Sequence, residues 1–284
     1  MSIKNIFQQK EPVISFEIFP PKKNVDVATI YNTIDQLSDL KPDFISVTYG
    51  AAGSKDNRTI EIASTIKNKY HIEALPHMTC ITADENRISE NINQLKENHI
   101  DNVLALRGDR PENDTFTKES WYHHAIDLIQ DIRTKGDFSI GAAAYPEGHI
   151  ECESEEKDLQ YLKEKVEEGV DFLISQLFFD NDSFYRFIDR MEKVHIDCKV
   201  SAGIMPILSK SQIEKMIFMC GVSLPAKVVK ILAKYEHQPE ELRKHAIEYA
   251  AWQVEDLLSH GVDGVHIYTM NRPEIAKGIL SRIR

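Results

Sequence analysis

The chain holds 284 residues, 42% of them hydrophobic and 28% charged, enough to bury roughly three quarters of the unfolded surface in one globular domain. Lys and Arg total 34 against 45 Asp and Glu, a net charge of -11, and such a surface repels phosphate backbones and anionic headgroups, excluding bulk binding of nucleic acid or of membranes. The N-terminal MSIKNIFQQKEPV lacks the run of about 7–15 apolar residues of a secretory leader, and no stretch reaches the ~18 that span a bilayer, so a cytoplasmic location is expected.

Short apolar, β-branched or aromatic runs alternate with longer segments of helical periodicity. In chain order the expected strand and helix pairs are Val13–Phe19 with Val27–Leu37, Phe44–Thr48 with Thr59–Lys69, Ala74–Thr79 with Asp84–Asn98, and Val103–Leu106 with Trp121–Arg133. Ser139–Ala143 with Glu155–Glu168, Phe172–Gln176 with Ser183–Val194, Val200–Ile204 with Ser209–Met219, and Val265–Tyr268 with Pro273–Ile283 complete the set. Asp84 and Ser209 are expected N-caps, and Pro273 suits a first helical position. Pro225–Lys234 and Pro239–His260 read as two additional helices before the eighth strand, the second ended by Gly261. Eight such units without a glycine-rich first turn predict a single closed (β/α)8 TIM barrel over residues 1–284 rather than an open doubly wound sheet.

Cys80, Cys152, Cys198 and Cys220 lie far apart with no C-x-x-C pair, so reduced thiols are expected. The histidines form no H-E-x-x-H or H-x-H, so no protein-held metal is expected; the adjacent His123 and His124 would point to different sides of a shared helix.

Reactive groups of a barrel gather at the C-terminal ends of its strands. Glu17 shares a strand face with Val13, Ser15 and Phe19. If that face is the lumen, burial should raise its pKa toward that of a general acid; the alternative is a salt bridge at the rim. Arg107, Gly108 and Asp109 follow the fourth strand, as ligand contacts or as an exposed turn. Thr48, Tyr49 and Ala51 belong to a small-residue segment after the second strand that lets backbone amides approach a bulky ligand, or is a plain loop. His77, Tyr145, His149, Gln176, Tyr268 and Arg272 fall at the same end of the barrel. Asp158 and Lys165 sit seven apart on one helix face, by spacing alone a surface charge pair.

Eight blocks in order carry a family likeness: Ser15-Phe-Glu-Ile-Phe-Pro-Pro, Val47-Thr-Tyr-Gly-Ala, Pro76-His-Met-Thr-Cys, Ala105-Leu-Arg-Gly-Asp, Ala143-Ala-Tyr-Pro-Glu, Gln176-Leu-Phe-Phe-Asp, Gly203-Ile-Met-Pro-Ile and Tyr268-Thr-Met-Asn-Arg. Through them the chain resembles the methylenetetrahydrofolate reductase family of the bacterial, FAD-dependent type. The resemblance implies FAD at the barrel mouth without a dinucleotide-binding domain. Thr48, Tyr49, Ala51, His77, Arg107, Gly108, Asp109, Tyr145, His149, Asp158 and Lys165 would line it, while Glu17, Asp109, Gln176, Tyr268 and Arg272 would meet the folate.

The implied reaction passes a hydride from NADH or NADPH to the flavin and then to 5,10-methylenetetrahydrofolate, giving 5-methyltetrahydrofolate for methionine synthesis. Glu17 would supply the proton that opens the methylene bridge, and Asp109 would stabilise the resulting cation. Arg272 would hold a folate carboxylate; Lys22 and Lys23 either add to it or form a solvated charged turn, the commoner reading of such a pair. Met216 stands where an aromatic near the nicotinamide is expected, and Glu164 where a basic residue occurs. The length leaves no room for the C-terminal regulatory domain of longer eukaryotic relatives, and a homo-oligomer is expected by likeness. Competing expectations are a proline-dehydrogenase-like barrel flavoenzyme and a non-catalytic folate- or flavin-binding protein.

Overall fold

The computed structural model describes residues 1–21, 27–49, 58–109 and 122–283. Eight parallel strands close in chain order into a barrel: β1 (Val13–Ile18), β2 (Phe44–Val47), β3 (Glu73–Thr79), β4 (Asn102–Leu106), β5 (Ser139–Ala144), β6 (Phe172–Ser175), β7 (Lys199–Ile204) and β8 (Gly264–Tyr268). Barrel helices follow as α2 (Ala28–Ser38), α3 (Arg58–Tyr70), α4 (Glu85–Glu97), α5 (Ala125–Lys135), α6 (Glu155–Glu167), α7 (Asn181–Lys193), α8 (Lys210–Cys220) and α11 (Pro273–Leu280). The two additional helices are α9 (Ala226–Tyr235) and α10 (Pro239–Ser259), in the expected place, with Gly261 in the left-handed region just after the second.

Strand alternation sorts the barrel into two layers. Ile14, Phe16 and Ile18 of β1 join the large core between sheet and helices, while Val13 joins a smaller inner cluster with Phe44, Leu75, Leu104 and Phe172. Ser15 and Glu17 therefore face the lumen. Start signals act as expected: the Asp84 carboxylate accepts from Arg87 N at 2.8 Å, and Ser209 Oγ from Gln212 N at 3.1 Å.

One element goes beyond the expected set. Helix α1 (Ile3–Gln9) is capped by Ser2, and its Ile3, Ile6 and Phe7 form an apolar stripe that plugs the N-terminal end of the barrel. Phe7 stacks on Phe172 at 5.5 Å, and Ile3 N donates to Asn102 Oδ1 at 2.8 Å. The expected helix start at Trp121 lies outside the described residues. His123 and His124 precede α5 rather than sharing it, because both of their backbone N–H groups donate to Asp127 Oδ2, at 2.7 and 2.8 Å. Among the described residues no helix is long and apolar enough to cross a membrane.

Candidate active site

The lumen changes character above its apolar floor. Register sets Ser15 beside His266, and Glu17 beside both Ser46 and Tyr268. His266, fully buried, has Nδ1 2.7 Å from Ser15 Oγ, and Nε2 3.3 Å from Ser46 Oγ and 3.5 Å from Glu17 Oε2. Ser46 Oγ donates to Glu17 Oε2 at 3.4 Å, and Phe44 stacks under the His266 ring at 5.9 Å. His77 Nε2 also lies 3.4 Å from Glu17 Oε2, but without hydrogen-bond geometry; it is a buried polar atom with no hydrogen-bond partner.

This arrangement corrects the expected charge state of Glu17. Burial does push its carboxyl up, and that is the largest single effect. The hydrogen bond with His266, the imidazoles of His77 and His266 and the Ser46 hydroxyl together outweigh it and hold the carboxyl below its usual range. Glu17 faces the lumen, as a general acid must, yet it is a carboxylate at neutral pH. Burial also lowers His77 to about 4, so that ring is neutral there.

A second group lines the opposite rim. Gly108 takes φ +86°, and a Cβ there would stand 3.0 Å from Thr79 Cβ, so only glycine allows this turn after β4. Arg107, expected to offer free donors, has its fork engaged: Nη1 and Nη2 donate to Glu151 at 2.6 and 3.1 Å, and Nε to the Gly108 carbonyl at 3.2 Å. Asp109 is exposed, and its charge reaches Arg107 and the Tyr145 hydroxyl. Tyr145 meets His149 edge-on at 4.7 Å. Lys165 donates to the Ala143 carbonyl at 2.8 Å, and burial lowers it to about 8, partly offset by Asp158. Asp158 is itself raised by burial, which Lys165 and His149 oppose. Asp158 and Lys165 thus belong to the rim cluster, where spacing alone suggested a surface pair.

The matching family profile is that of methylenetetrahydrofolate reductase, and it covers residues 2–284. A relative from Pectobacterium carotovorum named 5,10-methylenetetrahydrofolate reductase is 38% identical over 266 residues, covering 94% of this chain and 88% of its own. This chain belongs to the methylenetetrahydrofolate reductase family. Methylenetetrahydrofolate reductase (NADH) 1 of Arabidopsis thaliana is 36% identical over 99% of the chain, which spans 50% of that protein's length. A Clostridium thermocellum protein described as binding two copies of 5-methyl-5,6,7,8-tetrahydrofolic acid superposes with a TM-score of 0.69, covering 98% of this chain and 96% of its own. At 13% identity that likeness shows the shared fold alone.

Membership makes the chain an oxidoreductase of folate metabolism, and the barrel mouth collects most of the residues expected to serve that family's chemistry. Thr48 and Tyr49 directly follow β2, and Thr48 N donates to the Ile18 carbonyl at 3.0 Å. Gln176 is turned back on its own chain, its Oε1 accepting from Leu177 N at 2.9 Å. Tyr268 is partly buried and donates to the Ser175 carbonyl at 2.9 Å. Arg272 is exposed, with no acidic partner among the described residues. Ala51, Lys22 and Lys23 lie outside the described residues. Sequence reasoning passed over Ser15, Ser46, His266 and Ser175 as site residues; the alternation Gly264-Val-His-Ile-Tyr, which places His266 on the face of Tyr268, was the available signal. Among the described residues no group of three or more His, Cys, Asp or Glu is placed to hold a metal ion.

Proposed function

We propose that the protein reduces 5,10-methylenetetrahydrofolate to 5-methyltetrahydrofolate with a bound FAD and a nicotinamide dinucleotide that use one site in turn. The observation that carries this reading is the partly buried Glu17 carboxyl, held at the lumen's mouth by His266 and Ser46. NADH, the nicotinamide in the plant relative's name, is the first to test.

The residues present suit a flavin. The rim supplies two cations, Arg107 and Lys165, the hydroxyls of Thr48 and Tyr145, and the unpartnered Nε2 of His77. Lys165 and His149 would face anionic oxygens, and the Gly108 turn would give a close backbone approach. The exposed Glu151 is a screened partner that Arg107 can exchange for a ligand oxygen at little cost. FAD, when bound there, stores the electron pair taken as hydride from the nicotinamide and returns it as hydride to the folate.

The net change takes one hydride and one proton into the substrate: a C–H bond forms at the methylene carbon, and its bond to the departing folate nitrogen breaks. Glu17 Oε2 delivers that proton. It is ionised in the open barrel, so it must gain the proton as substrate enters. Arriving rings expel water and strengthen burial, the influence that already pushes its carboxyl up. Ser46 and His266, both against Oε2, and Ser15 beyond them give the incoming proton a hydrogen-bonded place inside the barrel. The Asp109 carboxylate faces the mouth and stabilises the cationic iminium left when the ring opens. Tyr268 and Gln176 border the folate, and the exposed Arg272 guanidinium takes its carboxylate.

The test separates the half-reactions. Glu17→Gln should abolish folate reduction while nicotinamide still bleaches the flavin, because only the folate step needs the acid. Equal loss of both half-reactions, or full retention of both, would count against the assignment. Asp109→Asn should raise the flavin potential and slow folate reduction.

A further inference from the structure

Helix α8 lies against the mouth. Its inner face carries Met216 and Cys220, which pack with Tyr268 and Met270 onto the cluster of Leu177, Met205 and Ile207. Its end turns at Gly221, in the left-handed region at φ +67°, where a Cβ would stand 3.6 Å from Ile150 Cβ of the β5 loop. The charge of Asp109 reaches the Cys220 thiol, and that thiol in turn acts on the hydroxyls of Tyr145 and Tyr268. The inner face of α8 is thus a wall of the mouth, set between the residues proposed for flavin and those proposed for folate.

Glu147 is what holds this wall at its far end. Its Oε2 accepts from Ser223 N at 3.0 Å, and its Oε1 from Ser223 Oγ and, at 3.2 Å, from Ser183 Oγ in the first turn of α7. The β5 loop is itself fixed to α7, because Arg190 donates to the Pro146 carbonyl at 2.8 Å and pairs with Glu155. One carboxylate therefore joins a fixed base, the same loop that presents Tyr145 and His149, to the segment that ends α8. Ser223 is exposed, so water can satisfy its groups when the tie is cut. Cutting the Ser223 side should cost little stability and mainly release the position of α8, while the buried Ser183 hydroxyl loses Glu147 but still accepts from Arg186 at 3.1 Å.

We propose that Glu147 is a positioning residue, clamping α8 to the β5 loop and so setting the width of the mouth through which folate and nicotinamide reach the flavin. This rests on the function proposed above, but the clamp can be read without it. In the full-length protein, Glu147→Ala should raise the rate at which iodoacetamide alkylates Cys220, followed by peptide mass spectrometry, on the order of tenfold, the effect of losing about 1.4 kcal/mol of tethering. Glu147→Gln, which keeps one acceptor oxygen, should fall between. Ser223→Ala should raise the rate less and add nothing further in the Glu147→Ala background.

In turnover, KM for methylenetetrahydrofolate should rise roughly tenfold in Glu147→Ala with kcat within about twofold, the pattern of lost uniform binding, and with flavin content unchanged. An unchanged alkylation rate would overturn the clamp. A faster rate with unaltered KM would overturn the claim that this wall borders the substrate path. A parallel fall in kcat, flavin content and melting temperature would show a merely structural role. A wild-type protein inert toward methylenetetrahydrofolate would instead overturn the function proposed above, and alkylation would still judge the clamp.

Discussion

The Tyr268 hydroxyl reaches over β7 to donate to the Ser175 carbonyl at 2.9 Å, and it can do so because residue 203 beneath it is glycine. A Cβ on Gly203 would press on the Ser175 carbonyl oxygen itself and stand 2.9 Å from both the ring and the oxygen of Tyr268. Gly203→Ala should therefore cost about 1–3 kcal/mol through overpacking and displace Tyr268 from the mouth. Tyr268→Phe removes one hydrogen bond and should cost only about 1 kcal/mol. Denaturant unfolding of both variants checks the order, and a costlier Tyr268→Phe would contradict it.

Acid should loosen the barrel from inside. The buried His77 is lowered to about 4, so the unfolded chain takes up its proton near pH 6.5 while the folded one does not. Stability is fully present above the unfolded value and falls with pH between about 6.5 and 4, by up to about 1.4 kcal/mol per pH unit. Glu17, also lowered, adds a loss of the same sign below the usual carboxylate range. The midpoint of urea unfolding should drop over this window in the wild type and drop less in His77→Asn.

Lys165 gives an alkaline counterpart. Burial lowers its ammonium to about 8, so the folded chain sheds this proton while the unfolded chain keeps it up to its ordinary value of 10.5. Stability should therefore rise across that range. A flavin held by the ammonium should bind more weakly as pH passes 8, by up to about tenfold per unit. Lys165→Met should flatten the alkaline part of a flavin titration, and an unaltered slope would remove Lys165 from the flavin site.

The plug at the other end can be tested apart from catalysis. Phe7 is 2% exposed and stacks on Phe172. Phe7→Ala should cost about 3–5 kcal/mol as a large-to-small change in a packed core. Because α1 is at the N-terminal end of the barrel and the proposed site at the C-terminal end, KM should stay as in the wild type at temperatures where the variant is folded.

Much of this molecule was legible before folding. Period-2 alternation in β1 placed Val13, Ser15 and Glu17 on one face, and the helical stripes after each strand announced the βα units, because both patterns are local consequences of backbone geometry. Helix α1 was legible too, in Ser2 followed by Ile3, Ile6 and Phe7, but a stripe of one short helix means little until the barrel floor it covers exists. The flavin-side role suggested for Asp158 and Lys165 came from resemblance, whereas their burial at the rim came from the fold.

By itself, then, the sequence determined the order of strands and helices, the family, and which side chains stand together on each strand. Which face looks inward, and what Glu17 meets there, was decided by closure, which sets β8 beside β1 and so brings His266 from the far end of the chain against Ser15 and Glu17. The protonation of that carboxyl follows from the contest between burial and these distant partners. Burial can be guessed from a local pattern; partners supplied by other strands exist only once the barrel is closed.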